Sequence, residues 1–361
     1  MLKTIRIANF RGFQSFELQQ LGRVNLLVGT NNSGKTSVLE AIQLLNSGTQ
    51  LNSLHELMAN RGEYLRDDDD QINRELDVCR LFYGYEIKPG SKFLISGIND
   101  NHEEKLTVSI RDLGSSSYAQ IGELSEQHRG FGSAIEWVHS QAAEPLELPL
   151  SVYGGLSTNH ILKPLSYSKW PKAQFITSSS IASSKMMDLF DQVVLTPEET
   201  LVQEALQIIE PNIERIAVVS SKRYGSLDIR MGFVVRLRDR EQRIPIGNLG
   251  DGTWRILGLA LAIVCAKGKV LLVDEIDTGL HFTTMSSMWK LIWKTAKKLD
   301  VQVFATTHNS DCWTSLASIA SQEHDLEDGI TIQRIEKGKQ TAVSFSESEI
   351  VIAAERGIEV R

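Results

Sequence analysis

The stretch VNLLVGTNNSGKTSVLEAI, residues 24–42, constrains this chain more than any other part of it. An apolar run stops at a glycine, and Gly29-Thr30-Asn31-Asn32-Ser33-Gly34-Lys35-Thr36 then satisfies the pattern G-x-x-x-x-G-K-[ST]. Glycines let the backbone curl so that its N–H groups converge on an anion, and the helix that follows points its positive end at the same place. Val38, Ile42 and Leu45 recur at helical spacing beside Leu39 and Ala41, with an expected end near Ser47-Gly48. The expectation is strand, phosphate cradle, helix. Gly29, Asn31, Asn32, Ser33, Gly34, Lys35, Thr36 and Ser37 would line the nucleotide, with Lys35 on the β- and γ-phosphates and Thr36 on Mg2+. Transporters, DNA clamps, kinases and switches all use such a loop, so it does not fix the task.

Composition narrows the setting. The chain has 361 residues, 42% of them hydrophobic, enough for one large domain or two smaller ones. Its net charge of -7 argues against a basic coat spread over the whole surface. Cys79, Cys265 and Cys312 lie far apart, without metal spacing or a disulfide framework, which fits a reducing cytoplasm. MLKTIRIANF alternates and carries charge, unlike a signal peptide, and no apolar run approaches the ~18 residues of a membrane helix. The expected setting is cytoplasmic, with no membrane partner.

Further along, Asp67 to Asp70 form an acidic run, read as a solvated loop rather than a cation site because like charges repel. RLFYGYEI, KFLISGI and KLTVSIRD read as strands. Residues 116–170 read as irregular, and AQFITSSSIASS as a strand running into a serine-rich loop. PEETLVQEALQII reads as a helix with proline in its first turn, and RIAVVSS, LDIRMGFVVRL and QRIPIG as short strands. The last third alternates buried-looking helices (WRILGLALAIVCA, SSMWKLIWKTAKKL) with apolar strands (KVLLVDEI, VQVFATTH), the pattern of a parallel sheet covered on both faces.

Three pieces of that last third carry chemistry. Asp274-Glu275 ends an apolar strand 239 residues after Lys35; Asp274 would enter the Mg2+ shell, and Glu275 would act as base on the attacking water. His308 ends the next strand, where it would sense the γ-phosphate. Leu249-Gly250-Asp251-Gly252 opens a long helix and forms a second anion-directed helix start.

In this order the pieces resemble the ABC-type ATPases of the SMC, RecF and OLD group, often classed as AAA-family ATPases in bacterial defence. IRIANFRGF looks like the group's N-terminal strand and loop, whose arginine, here Arg11, often lies close to the nucleotide. NLGDG looks like the signature motif, DEIDTGLH like the second carboxylate motif followed by the D-loop with Asp277, and TTH like the switch histidine. The resemblance implies an α/β P-loop NTPase of ABC type, with a mixed or parallel core sheet, helices on both faces, an antiparallel β subdomain and a helical lid. It implies a single head over 1–361, with the nucleotide-binding core in 1–50 and 245–361, the β subdomain in about 76–115 and the insertion in about 116–245. It further implies ATP hydrolysis with Mg2+, and a homodimer, or a higher oligomer of dimers, packed head to tail so that the signature of one copy meets the ATP of the other.

Two positions depart from the group's pattern. Gly250 stands where a serine is usual, and Phe282 follows His281 where proline is frequent in OLD-like members. The Q-loop is not identifiable, although Gln71 is a candidate. The 53 residues after His308 read as a helix, a strand pair and a helix, not as a TOPRIM-like nuclease, so the effector is expected to be separately encoded, as a TOPRIM-like nuclease in phage defence. The alternative is a RecF- or SMC-like repair ATPase that binds DNA as the ATP-bound dimer. A transporter subunit would need a fuller signature and a clear Q-loop, and a kinase or GTPase conflicts with the signature and the switch histidine.

Overall fold

The computed structural model describes all residues except 67–73, 100, 101, 113–132, 141, 143, 152, 162–172, 179, 180, 220–231, 239–241 and 322–328. The chain divides into two compact units, each assembled from separate segments: Met1–Gln20, Thr36–Pro171 and Lys337–Ala342 in the first, and Leu21–Lys35, Lys172–Glu336 and Val343–Arg361 in the second.

The first unit is built on an antiparallel sheet of β1 (Thr4–Phe10), β2 (Phe13–Leu18), β6 (Lys92–Ile98), β7 (Glu103–Asp112), β8 (Ser133–His139) and β9 (Leu146–Leu150), in the order β2-β1-β6-β7-β8-β9. Alternation sets its buried face: Ile5 and Ile7 in β1, and Leu106, Val108 and Ile110 in β7, all point inward. Helix α1 (Lys35–Ser47) meets that sheet at its C-terminal end, where Trp137 Nε1 donates to Gly48 O at 2.8 Å and the His139 ring contacts Leu45 O at 2.9 Å. Gly97 makes room for the packing, since a Cβ there would lie 2.8 Å from Leu45 Cδ2. A small sheet of β4 (Tyr64–Arg66), β5 (Glu75–Leu76) and β10 (Leu156–Ser157), with α2 (Asn52–Asn60) and α3 (Thr158–Ile161), completes the unit. RLFYGYEI is not a strand. It forms 3-10 turns over Val78–Leu81 and Tyr83–Tyr85, because Gly84 (φ 84°) and Tyr85 (φ 59°) leave the extended region while Phe82 turns in against Phe93 at 5.2 Å. Strands β8 and β9 likewise occupy part of the span expected to be irregular.

The second unit holds the core sheet, ordered β11 (Ala173–Ile176), β15 (Val270–Val273), β16 (Gln302–Thr306), β3 (Val24–Val28), β17 (Ile330–Arg334) and β18 (Val343–Phe345). All neighbours are parallel except β17 and β18. Strands β3, β15 and β16 are buried along their whole length, as expected of strands covered on both faces. Helices α4 (Ser183–Val193), α5 (Glu199–Leu206), α6 (Asp251–Cys265), α7 (Phe282–Leu299), α8 (Ser310–Ala320) and α9 (Glu347–Glu355) join the sheet in one continuous hydrophobic core. A second small antiparallel sheet, β12 (Ile213–Val218), β13 (Phe233–Leu237) and β14 (Arg243–Pro245), leads into α6. Asn25, fully buried in β3, ties the sheet together: it donates to Gly22 O and Val303 O and accepts from Gly22 N and Thr331 Oγ1. Among the described residues no helix is long and apolar enough to cross a membrane.

Candidate functional site

The parallel sheet gathers the predicted residues at one edge. Reading across the carboxyl ends of β11, β15, β16 and β3, the chain passes Thr177, then Asp274-Glu275, then Thr306 to His308, then the loop from Gly29 to Lys35. In open parallel sheets this edge is where ligands bind, because strand-end loops and helix N-termini converge there.

The loop is shaped to wrap an anion. Gly29 (φ 142°), Asn32 (φ 59°) and Gly34 (φ 105°) take positive φ, turning successive amides the same way. A Cβ on Gly29 would lie 2.3 Å from Ile335 O, so only glycine fits against that strand end. Lys35 is buried and donates to Gly29 O at 2.8 Å and Thr30 O at 2.9 Å. Burial pushes its ammonium below its ordinary pKa, and the nearby charges of Asp274 and Glu275 push it back up. The Ser33 hydroxyl is buried without a hydrogen-bond partner among the described residues. A phosphate oxygen would supply one, which makes the loop fit a nucleotide rather than merely resemble one. Asn31 and Asn32 are exposed, and Thr36 and Ser37 continue into α1.

The carboxylates are held by residues that the motifs did not single out. Thr306, fully buried, donates to Asp274 Oδ1 at 2.6 Å and accepts from Glu275 N at 2.8 Å. Its carbonyl also accepts from Ile276 N at 3.0 Å. Thr307 donates to Asp277 Oδ1 at 2.7 Å. Glu275 sits at φ 47°, a left-handed conformation that is uncommon for a glutamate and is imposed by these bonds. Thr278 Oγ1 lies 3.3 Å from its carboxylate and His308 Nε2 3.9 Å, too long for a hydrogen bond but close enough for the two groups to share one ligand oxygen. From α6, Arg255 reaches the backbone carbonyls of Thr177, Asp274 and Glu275. A threonine pair before a histidine, and a lone arginine inside an apolar helix, were the available sequence signals.

Leu249 ends a short 3-10 turn, Gly250 (φ 87°, ψ 173°) caps α6, and Asp251 opens it, exposed. Gly252 packs on the D-loop: a Cβ there would lie 3.3 Å from Gly279 O. Arg11, expected near the nucleotide from the resemblance, lies in the first unit. It is buried there, with Nε 2.6 Å from Glu40, an approach that is not aligned as a hydrogen bond, and with Nη1 and Nη2 at 2.6 and 3.1 Å from Glu63. Glu40 also pairs with Arg61 at 2.5 Å. Within the first unit the Arg11 guanidinium is held by two carboxylates. The run Asp67 to Asp70 and Gln71 lie outside the described residues.

Fold and strand-end loops together define a P-loop ATPase of ABC type. Residues 24–311 match the AAA domain family described as "putative AbiEii toxin, Type IV TA system". The chain belongs to that family, and it hydrolyses ATP. An ATP/GTP phosphatase of Helicobacter pylori (strain ATCC 700392 / 26695) is 21% identical over 334 residues, covering 86% of this chain and 86% of its own length. The DNA replication and repair protein RecF of Marinomonas sp. (strain MWYL1) is 30% identical over 122 residues, 34% of this chain and 30% of RecF. Among solved structures, a Smc head domain with an extended coiled coil, bound to the C-terminal domain of ScpA and derived from Pyrococcus furiosus, aligns with a TM-score of 0.49 at 11% identity, covering 99% of both chains.

Proposed function

We propose that two copies of this chain pack head to tail around ATP and Mg2+, and that their engagement acts as a sensor and regulatory platform for a separately encoded effector, a TOPRIM-like nuclease, in antiviral defence. The observation that carries the two-copy reading is the start of α6. Gly250 caps the helix beside exposed Asp251, and no described residue lies within 4 Å of where a Gly250 Cβ would sit. Such a start leaves backbone N–H groups uncovered for an anion, with the Asp251 carboxylate offsetting part of the helix dipole. The chain's own cradle already supplies a different helix start, α1, so the signature is left for the phosphate of a second copy. Phe282, 58% exposed and tilted against the His281 ring at 4.3 Å, lies just beyond the D-loop and offers an apolar contact to a second copy.

In this reading Lys35 binds the β- and γ-phosphates, Glu275 takes the proton of the attacking water, and His308 donates to the γ-phosphate. The Thr36 hydroxyl and the Asp274 carboxylate are the hard oxygen donors that Mg2+ prefers, and the ion would neutralise charge on the phosphate oxygens. Asp277, Leu249, Gly250, Asp251 and Gly252 serve the neighbour's nucleotide. The family's toxin–antitoxin description supports a defence role over a housekeeping one.

Glu275→Gln with ATP should slow turnover by on the order of a hundredfold and double the particle mass on gel filtration. Lys35→Ala should remain unpaired, and both variants should abolish phage protection in cells carrying the neighbouring genes. If Glu275→Gln neither slows turnover nor accumulates the dimer, the proposal fails. DNA binding confined to the ATP-loaded state, with a steep dependence on salt, would favour the repair reading that the RecF relatives motivate.

A further inference from the structure

We infer that Arg255 is a positioning residue that locks the turn carrying Glu275 to the start of the signature helix, so that hydrolysis follows the position of α6. The inference rests on the role proposed above for Glu275. Arg255 lies five residues after Gly250 and is 6% exposed. Its Nη1 donates to Thr177 O at 3.0 Å, and its Nη2 donates to Asp274 O at 3.0 Å and Glu275 O at 2.8 Å. A single planar fork therefore closes the carboxyl ends of β11 and β15.

Among the described residues no carboxylate comes within ion-pair distance of this guanidinium. Burial disfavours the charge, and the carboxylates of Asp277, Asp274 and Glu275 lie near enough to favour it without pairing with it; a structural tie alone could be made by an apolar residue at lower cost. What the charge adds is direction. Glu275 is held at φ 47° from both sides, its amide by Thr306 at 2.8 Å and its carbonyl by Arg255 at 2.8 Å. Moving α6 along its axis moves the second of these holds and leaves the first, which rotates the Glu275 peptide and swings its carboxylate. The helix that would meet the neighbour's phosphate and the carboxylate that would activate water thus share one mechanical link. A lysine could reach one of the three carbonyls at a time, and methionine none.

The test uses the full chain with Arg255→Met, Arg255→Lys and Glu275→Asp, singly and combined, measuring kcat and equilibrium MgATP binding. Arg255→Met should lower kcat by on the order of ten- to a hundredfold, while the Kd for MgATP changes by less than about twofold. Arg255→Lys should fall between wild type and Arg255→Met. Combined with Glu275→Asp, the two losses should be clearly less than multiplicative, because both disturb the same carboxylate. Unchanged kcat in Arg255→Lys, or losses that multiply, overturns the inference; Arg255→Lys carries the test if Arg255→Met does not fold. If Glu275→Gln accumulates no dimer while the losses still fail to multiply, the link within the chain stands and only the two-copy reading falls. If the dimer accumulates and the losses multiply, the reverse holds.

Discussion

At the residue scale, Thr306 does two jobs with one hydroxyl. Replacing it with valine keeps the shape but removes the hydrogen bonds that the hydroxyl makes to the Asp274 carboxylate and the Glu275 amide. Thr306→Val should therefore lower the stability of the second unit by about 1–3 kcal/mol and reduce kcat, while Thr306→Ser restores most of both. Urea denaturation and steady-state turnover check the pair. Lys35 makes a pH prediction. Burial lowers its pKa below 10.5, so the folded protein gives up that proton earlier than the unfolded chain does. The cost of burying the charge is present in full below the lowered pKa and disappears as pH rises toward 10.5. Nucleotide binding runs the other way: MgATP affinity should be level below the lowered pKa and weaken as pH climbs through it. A titration with fluorescent ATP showing no alkaline weakening before pH 10.5 contradicts this. Motifs made Lys35, Asp274, Glu275 and His308 legible because their spacing to strand ends is stereotyped. Thr306 and Arg255 were not legible, since their partners, a carboxylate and an amide for the one and backbone carbonyls for the other, are distant in sequence. Arg255 did leave a trace, for a single charge within WRILGLALAIVCA has to be satisfied somewhere.

At the element scale, Gly250 sits at φ 87° and ψ 173°, a combination almost confined to glycine, although open space surrounds it. Restoring the serine usual in related signatures should therefore cost about 1–3 kcal/mol in backbone strain rather than improve catalysis. We expect Gly250→Ser to melt earlier and turn over no faster, as scanning calorimetry and an ATPase assay would show. Strands and helices of the second unit were readable in proportion to their burial. KVLLV and VQVFAT are apolar on both faces, and α6 is apolar all round, so each had one sensible placement. Short segments were harder. RLFYGYEI has strand composition, yet two positive φ angles and the pull of Phe82 toward Phe93 coil it into turns. Ser183–Val193 begins inside a serine-rich stretch whose polarity hides the helix, although Met186, Leu189, Phe190 and Val193 bury one face.

At the scale of the whole molecule, both units are interleaved along the chain, which composition could not reveal because the cuts fall inside continuous patterns. The first cut falls between Gln20 and Leu21, the second within the loop-to-helix passage between Lys35 and Thr36, and Lys337–Ala342 return to a unit left behind at Pro171. The order of the core sheet has a consequence for synthesis. Strand β3 is made among the first thirty residues, yet its two neighbours, β16 and β17, end at Thr306 and Arg334. The strands of the antiparallel sheet in the first unit have all been made by Leu150. On the ribosome, the apolar β3 must wait unpaired, with the phosphate loop behind it, while about three hundred residues are made; at roughly 5–20 residues per second that is tens of seconds. Pairings this distant in sequence also form slowly. Pulse-labelled hydrogen exchange on stalled nascent chains should find β7 and β8 protected well before β3. A growing chain of this protein therefore cannot close the sheet around its phosphate loop until β16 and β17 exist, so a product truncated before them should be silent toward nucleotide.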